Sequence, residues 1–433
     1  MAKVVFYPRW QGQEDRPHAR QFMRGSCRTQ PAIAVSLAVI FIFAILTLWV
    51  HSYWPVSLFE ALIFVLADVV LVVDHNAGRS PRYPFFVFAF AVGWGILQAV
   101  FGKTVYEFDT ERSLLRWTTF LAVYLIGVYI FQDDDILQRF RAAMVWFGSA
   151  LAIEAVLQSF VSPGFIFGIF PSGYSENMSI MGPIVYHSHY AAFVETVLPM
   201  AVYGALTDRN RSYLYAAAGA ALYASVIVSA SRAGLILATA EVLLVVIVFY
   251  LRPRSGKRVD RLSVLRLAAL TAAFLLVVGW GSISHRLAEA NPMAGRREFA
   301  ISSLHMIAAR PWWGFGLGTW STVYPRYAVM DFGDVFVNQA HSDWLQWGAE
   351  GGLPLLLVMA SLFVWLVRPA FRSVWGIGVV AVFVHALVDY PFSRPALGAW
   401  PILVLAMLAA SDRRRGRSPQ PAGPFPSAQH LAP

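Results

Sequence analysis

Side chains suited to acid–base and phosphate chemistry gather in a few short segments of the chain. His341 stands in Asn-Gln-Ala-His-Ser-Asp-Trp-Leu-Gln, where an apolar helix is predicted to begin at the water boundary. An imidazole titrates near neutral pH and can take a proton from a sugar hydroxyl. A histidine at a helix start is also commonly a cap or an interface residue, and spacing alone leaves both interpretations open.

Three polar residues share one face of the helix that follows His341. Asp343, Gln346 and Glu350 are three and four residues apart, so their side chains line up on a helix. We predict that this face orients a substrate.

Arginines form the second group of candidates. Arg232 lies in Ser-Arg-Ala-Gly between two apolar runs, and Arg296 and Arg297 lie in Gly-Arg-Arg. A guanidinium is planar, permanently charged and matched to phosphate geometry, so these residues are predicted to bind a lipid-linked phosphate or diphosphate. The alternative is pairing with neighbouring carboxylates such as Glu298 or with lipid headgroups.

Two further patterns predict no metal and no cofactor. The segment Gly-Phe-Gly-Leu-Gly at 314–318 follows no predicted strand and precedes no lysine, so it is interpreted as a sharp turn rather than a nucleotide loop. His187 and His189 have no carboxylate at ligand spacing beside them.

Carboxylates inside apolar runs are predicted to hydrogen-bond between helices, with a proton path as the alternative. They are Glu60, Asp68, Glu154, Glu195 and Glu241.

The elements that must position these residues are membrane helices. The chain has 433 residues, of which 58% are hydrophobic and 14% charged, whereas soluble proteins carry about 25% charged residues. The net charge of +9 is spread between apolar runs rather than gathered on one segment, which argues against nucleic-acid binding. The single cysteine, Cys27, excludes an intrachain disulfide and a cysteine-based zinc site.

About twelve apolar runs approach the length needed to cross a bilayer, which predicts an all-α polytopic membrane protein. The runs are 32–50, 56–73, 84–101, 114–131, 137–160, 190–206, 213–230, 234–251, 265–280, 345–367, 374–390 and 395–410. With the N-terminus inside, 24 of the 34 Lys and Arg residues fall on the cytoplasmic side. This bias predicts that both termini are cytoplasmic and that the candidate site lies on the opposite, periplasmic face.

The domain organisation follows from these spans. Residues 1–31 are predicted to form a basic cytoplasmic tail, 32–410 the transmembrane domain, and 411–433 a disordered cytoplasmic tail. A long periplasmic loop, 281–344, joins helices nine and ten and carries site residues. A loop helix is predicted from Arg296 to Arg310, ended by the proline that follows. Its expected buried stripe is Ile301, Leu304, Ile307 and Ala308.

Four segments resemble the O-antigen ligase and O-antigen polymerase family of bacterial polysaccharide assembly. They are Ser-Ala-Ser-Arg-Ala-Gly at 229–234, Gly295-Arg296 with Pro311 and Gly-Phe-Gly-Leu-Gly-Thr-Trp after it, His341-Ser342-Asp343-Trp344-Leu345 with Glu350 and Gly352-Leu353-Pro354, and 385–395 with its Val-Asp-Tyr-Pro-Phe. The chain departs from the family pattern at Ser342, where Asn is usual, and at Ala300, where Trp is frequent.

The resemblance implies a GT-C-like fold in the bacterial inner membrane and a glycosyl transfer that needs no metal. The donor would be an undecaprenyl-diphosphate-linked glycan, and the acceptor a lipid A core sugar for a ligase, another glycan for a polymerase, or a protein hydroxyl in related transferases. Arg232, Arg296 and Arg297 would bind the diphosphate, and His341 would deprotonate the acceptor. The supporting residues would be Asp343, Glu350, His189, Asp389 and Arg394.

A different class remains open, namely a secondary transporter or flippase for lipid-linked or small anionic substrates. Such proteins place ionisable groups at broken helices near the middle of the bilayer, and their two halves are often structural repeats of each other. The chain shows no convincing internal repeat, and its candidate residues gather at the periplasmic boundary.

Overall fold

The structure is a computed structural model that describes residues 17–73, 83–172, 180–251, 265, 269, 295–331, 333 and 336–417. The described chain is almost entirely helical. Its eight helices before the first long gap are α1 (Pro17–Leu46), α2 (Trp54–Val73), α3 (Tyr83–Val100), α4 (Glu107–Ile130), α5 (Asp134–Val161), α6 (His187–Thr207), α7 (Ser212–Ser229) and α8 (Arg232–Leu251). After that gap come α9 (Arg296–Ala309), α10 (Trp320–Tyr327), α11 (Asp343–Arg372), α12 (Ile377–His385) and α13 (Pro395–Arg417). A small antiparallel hairpin pairs β1 (Phe165–Ile166) with β2 (Phe170–Pro171).

Ten of the described helices are long and apolar enough to cross a membrane, namely α1 to α8, α11 and α13. The predicted all-α polytopic fold is therefore confirmed. The predicted run 374–390 forms only the short helix α12, preceded by a 3-10 turn at Val374–Gly376. The predicted span 265–280 lies outside the described residues apart from Leu265 and Ala269.

Helix ends that are distant in sequence meet on one face of the bundle. The Val105 amide before α4 donates to the Phe315 carbonyl at 2.9 Å, and the Asp343 amide at the start of α11 donates to the Asp389 carbonyl at 3.0 Å. The ring of Tyr186, just before α6, lies 6.3 Å from the ring of His341. We call this end of the bundle the site face.

Helix α6 is the centre of the bundle, and its neighbours approach it through small residues. Added side-chain volume at Gly234 of α8 would meet Ala191 of α6, and at Gly378 of α12 it would meet the Glu195 carbonyl. Small residues let membrane helices come close because lipid supplies little hydrophobic drive between them. Close approach brings the polar side chains of α6, α8 and α12 into one interior.

Helix α11 is broken near the site face. Gly352 has φ 69° and ψ −175°, which interrupts the helical hydrogen bonds, and Pro354 follows it. The carbonyls freed by the break accept from other elements: Glu350 from the Gly316 amide at 3.0 Å, and Gly351 from the Trp94 indole at 2.8 Å. Donors from other parts of the protein therefore satisfy these two carbonyls.

The loop helix is confirmed as α9, but its predicted buried stripe is wrong. The buried residues are Phe299, Ser302, Ser303 and Met306, whereas Leu304 is 54% exposed. The Ser303 hydroxyl accepts from the Trp320 indole at 3.0 Å. A serine whose hydrogen bonds are satisfied can be buried, so counting apolar residues alone selected the wrong face.

Candidate active site

Arg296 occupies the first turn of the loop helix on the site face. Gly295 caps this helix with φ 78°, a conformation that favours glycine, and so turns the chain into α9. The Arg296 side chain hydrogen-bonds to Tyr186. An arginine at a helix N-terminus combines its own charge with the exposed backbone amides, which favours an anion. Arg297, one residue on, is exposed to solvent.

His341 is held at the start of α11 in an aromatic environment. Its φ of 52° is left-handed, which is rare outside glycine and marks a position fixed by its surroundings. The imidazole stacks on Phe299 with ring centroids 5.4 Å apart and an 18° interplanar angle, and it meets Tyr390 edge-on at 4.9 Å. Its Nδ1 has no hydrogen-bond partner among the described residues.

The His341 ring is neutral at physiological pH. Burial, together with the nearby Arg296 charge, lowers the pKa of its imidazole to about 4. A neutral imidazole has a free lone pair and can accept a proton. Its low basicity is set partly by Arg296, so anything that neutralises Arg296 would make His341 a stronger base.

His189 and Asp389 form a second buried pair beside Tyr390. His189 Nε2 lies 3.7 Å from Asp389 Oδ2, and the His189 and Tyr390 rings meet edge-on at 4.6 Å. Burial raises the pKa of the Asp389 carboxyl to about 6, although His385 and Arg296 act in the opposite direction. Arg394 is exposed and lies within electrostatic range of His189.

Deeper in the bundle, Glu195 of α6 and His385 of α12 form a fully buried contact. Glu195 Oε1 lies 2.7 Å from His385 Nδ1, and the two side chains are 0% and 1% exposed. The sequence predicted that Glu195 would hydrogen-bond between helices, and this contact agrees with that prediction. The contact also places the beginning of segment 385–395 against α6.

Asp343 and Glu350 contact protein backbone in the structure. Asp343 Oδ2 accepts from the Phe392 amide at 2.9 Å. Glu350 Oε2 accepts from the Gly318 amide at 2.8 Å, and its Oε1 accepts from the Gln346 side-chain amide at 2.8 Å. These contacts tie Phe392 and the turn at 314–318 to α11, close to His341.

The glycine-rich segment at 314–318 forms the predicted turn. Gly314, Gly316 and Gly318 all have positive φ, and a side chain at Gly314 would meet the Glu350 carbonyl. Gln98 of α3 also holds this turn, because its Oε1 accepts from the Leu317 amide at 3.1 Å. We call the contacts of this turn with Glu350 and Gln98 the seat. The turn therefore donates a hydrogen bond to a carbonyl that the break in α11 leaves without a helical partner.

Arg232 opens α8 on the site face. It follows a tight turn in which Ala230 has φ 55° and caps α7. Two residues later, Gly234 packs against Ala191, which is two residues beyond His189 on α6. The structure thus places the first turn of α8 against the first turn of α6.

Sequence reasoning missed three residues of this site. Tyr186 and Tyr390 flank both His189 and His341, and burial raises the pKa of each phenol, so both stay protonated. Arg116 of α4 donates to the Ser393 carbonyl at 3.1 Å and so fixes the turn that carries Arg394. The only available signal for the tyrosines was their position next to a candidate histidine or aspartate.

No metal centre is built from the part of the chain that the structure describes. Within those ranges no three His, Cys, Asp or Glu side chains are grouped so that they could hold an ion. His189 faces Asp389, and the His187 ring stacks on Tyr186 at 5.1 Å.

Fold and site together define a polytopic membrane protein that gathers arginine, histidine and a buried carboxylate at one end of its helix bundle. Residues 216–360 match the O-antigen ligase family model. The predicted resemblance to the O-antigen ligase and polymerase family is confirmed over these residues. The match supports glycan transfer of the ligase or polymerase type in polysaccharide biosynthesis. No curated protein matches the chain.

Proposed function

We propose that this protein transfers a glycan from an undecaprenyl-diphosphate carrier to an acceptor hydroxyl at the periplasmic face of the bacterial inner membrane, with both termini in the cytoplasm. The observation that carries the proposal is the neutral imidazole of His341 beside the Arg296 charge, inside the range that matches the ligase family. A cation for the leaving group and a base for the acceptor are the two groups that this reaction needs.

The diphosphate binds at Arg296, which adds the charge of its guanidinium to the N-terminal amides of α9. Arg232, at the start of α8, supplies a second cation, and the exposed Arg297 extends the positive surface toward solvent. These charges stabilise the diphosphate as it leaves, so the proposed transfer is metal-independent.

His341 then acts as the general base. Its imidazole takes the proton of the acceptor hydroxyl while the oxygen attacks the anomeric carbon. The bond between that carbon and the diphosphate oxygen breaks, its electron pair stays on the diphosphate, and the configuration inverts. Burial is the main cause of the low pKa of His341, and the Arg296 charge is the second. A bound diphosphate that neutralises Arg296 removes this second cause, so His341 becomes a stronger base once the donor is present.

The alternative is a transporter or flippase, and the broken helix α11 is the observation that favours it, since transporters bind ligands at such breaks. In this chain, however, the carbonyls of Glu350 and Gly351 already accept from Gly316, Gln98 and Trp94. A break filled by the protein offers little to a transported ligand, and this favours the transferase.

The decisive experiment measures glycan transfer in membranes carrying His341→Ala, with a lipid-linked oligosaccharide donor and both lipid A core and glycan acceptors. We expect a loss of about 10²–10⁴-fold per expressed protein. His305→Ala, an exposed position on α9, is the matched control and should transfer normally. Transfer by His341→Ala at the wild-type rate would reject His341 as the base. The product that the wild-type protein forms shows whether it is a ligase or a polymerase.

A further inference from the structure

Asp389 is a buried carboxylate whose oxygens accept no side-chain hydrogen bond from any described residue. It is 0% exposed, and its Oδ2 lies 3.7 Å from Nε2 of the buried His189 imidazole. The adjacent Tyr390 amide favours the charged carboxylate, but less than the charges of His385 and Arg296 do. Its position is set by the backbone, because its carbonyl accepts from the Asp343 amide at 3.0 Å. The carboxylate is thus fixed in place while hydrogen bonds compensate its charge only weakly.

Several charged or titratable groups surround Asp389, and they come from every element packed around it. They are His189 and Glu195 from α6, Arg296 from α9, His341 before α11, Asp343 from α11, His385 from α12, Tyr186 before α6, and Tyr390 and Arg394 in its own segment. Glu195 is already in contact with His385 at 2.7 Å. Asp389 is therefore the counter-charge available to Arg296 when no anion is bound.

A diphosphate at Arg296 changes this balance. The donor is a diester that carries two negative charges, and it takes over Arg296 as its partner. Asp389 is then left as a like charge beside it in a dry interior, where repulsion is strong. Burial has already raised the pKa of this carboxyl to about 6, so protonation near neutral pH is accessible.

We propose that Asp389 takes up a proton from solvent when the donor diphosphate binds at Arg296, so that donor binding is proton-coupled. The inference rests on the diphosphate assignment of the proposed function. The carboxylate gains one proton and becomes a carboxylic acid, no other bond changes, and the proton returns to solvent when the product diphosphate leaves. Neutral Asp389 leaves the full charge of Arg296 to the leaving group.

The experiment is calorimetric titration of the purified full-length protein with farnesyl diphosphate N-acetylglucosamine. This diester has no group that titrates near neutral pH, so the dependence of the heat on buffer ionisation enthalpy counts protons taken up by the protein. We expect uptake that approaches one proton at pH 7–8, with binding about tenfold weaker per pH unit in that range.

At pH 8, where the His341 imidazole stays neutral even if its pKa returns to the ordinary value, Asp389→Asn should bind without proton uptake. Asp331→Asn, an exposed carboxylate of the loop after α10, should behave as wild type. Uptake retained in Asp389→Asn would overturn the inference. If that variant does not fold, the wild-type profile decides, since uptake with a free-protein midpoint near pH 6 supports the inference and pH-independent binding rejects it. Binding without uptake leaves the proposed function standing, whereas no binding of the diester overturns both.

Discussion

At the scale of single residues, Arg296 is central because it interacts with both His341 and Tyr186. Its charge lowers the pKa of His341, and its side chain hydrogen-bonds Tyr186, whose ring lies 6.3 Å from that histidine. Removing this charge therefore changes the acid–base behaviour of the site as well as its affinity for an anion. A residue that only bound the donor would change affinity alone.

We predict that Arg296→Gln weakens transfer and also moves its acid limit. Without the neighbouring cation the pKa of His341 rises from about 4 toward its ordinary value, so the neutral base is lost at a higher pH. The acid limb of kcat/KM for the residual activity should move upward in pH. Arg297→Gln, at an exposed position, should leave the limb in place; an unshifted limb in Arg296→Gln would remove Arg296 as the cause.

At the scale of elements, the site depends on a helix that is broken and then closed by a loop. The break at Gly352 frees carbonyls, and the turn at 314–318 returns amides to them and to the Glu350 side chain. Since α11 begins two residues after His341, the stability of this seat decides how firmly the proposed base is held.

Two glycines allow this seat to be tested at equal backbone strain. Gly314 and Gly333 have φ of 66° and 63°, but a side chain at Gly314 would meet the Glu350 carbonyl, while at Gly333 nothing lies within 4 Å. Both alanine variants incur about 1 kcal/mol for the left-handed conformation. Only Gly314→Ala should lose about 1–3 kcal/mol more from overpacking. Unfolding of the purified proteins measures the difference, and equal losses would exclude the seat as the reason.

At the scale of the whole molecule, the fold gathers helix ends from both halves of the chain on one face. α4, α6, α8, α11 and α13 each begin there. The distribution of Lys and Arg predicts that this face is periplasmic and that Cys27 is cytoplasmic.

This orientation predicts a labelling pattern with a membrane-impermeant maleimide in intact cells. The native Cys27 should react only after the membrane is permeabilised, because the intact membrane keeps the reagent out of the cytoplasm. In a Cys27→Ser background, Asp331→Cys should react from outside, since this position is exposed on the loop after α10. The opposite pattern would place the site in the cytoplasm and reject the proposed periplasmic reaction.

The sequence by itself determined the features that depend on local pattern. Runs of apolar residues specify membrane helices because backbone polar groups must be satisfied inside the bilayer. Short segments around His341 and Arg296 were recognisable because their glycines and polar residues are adjacent along the chain. The loop helix was also predicted with its end at Pro311, although its buried face was not.

Only the tertiary structure decided which of these residues meet. Glu195 and His385 are 190 residues apart in the chain, and their contact arises because Gly378 lets α12 lie against α6. Asp343 and Glu350 share a helix face, as the spacing predicted, but it is the neighbouring loops that determine what they contact. Long-range packing sets these contacts, and no local pattern carries that information.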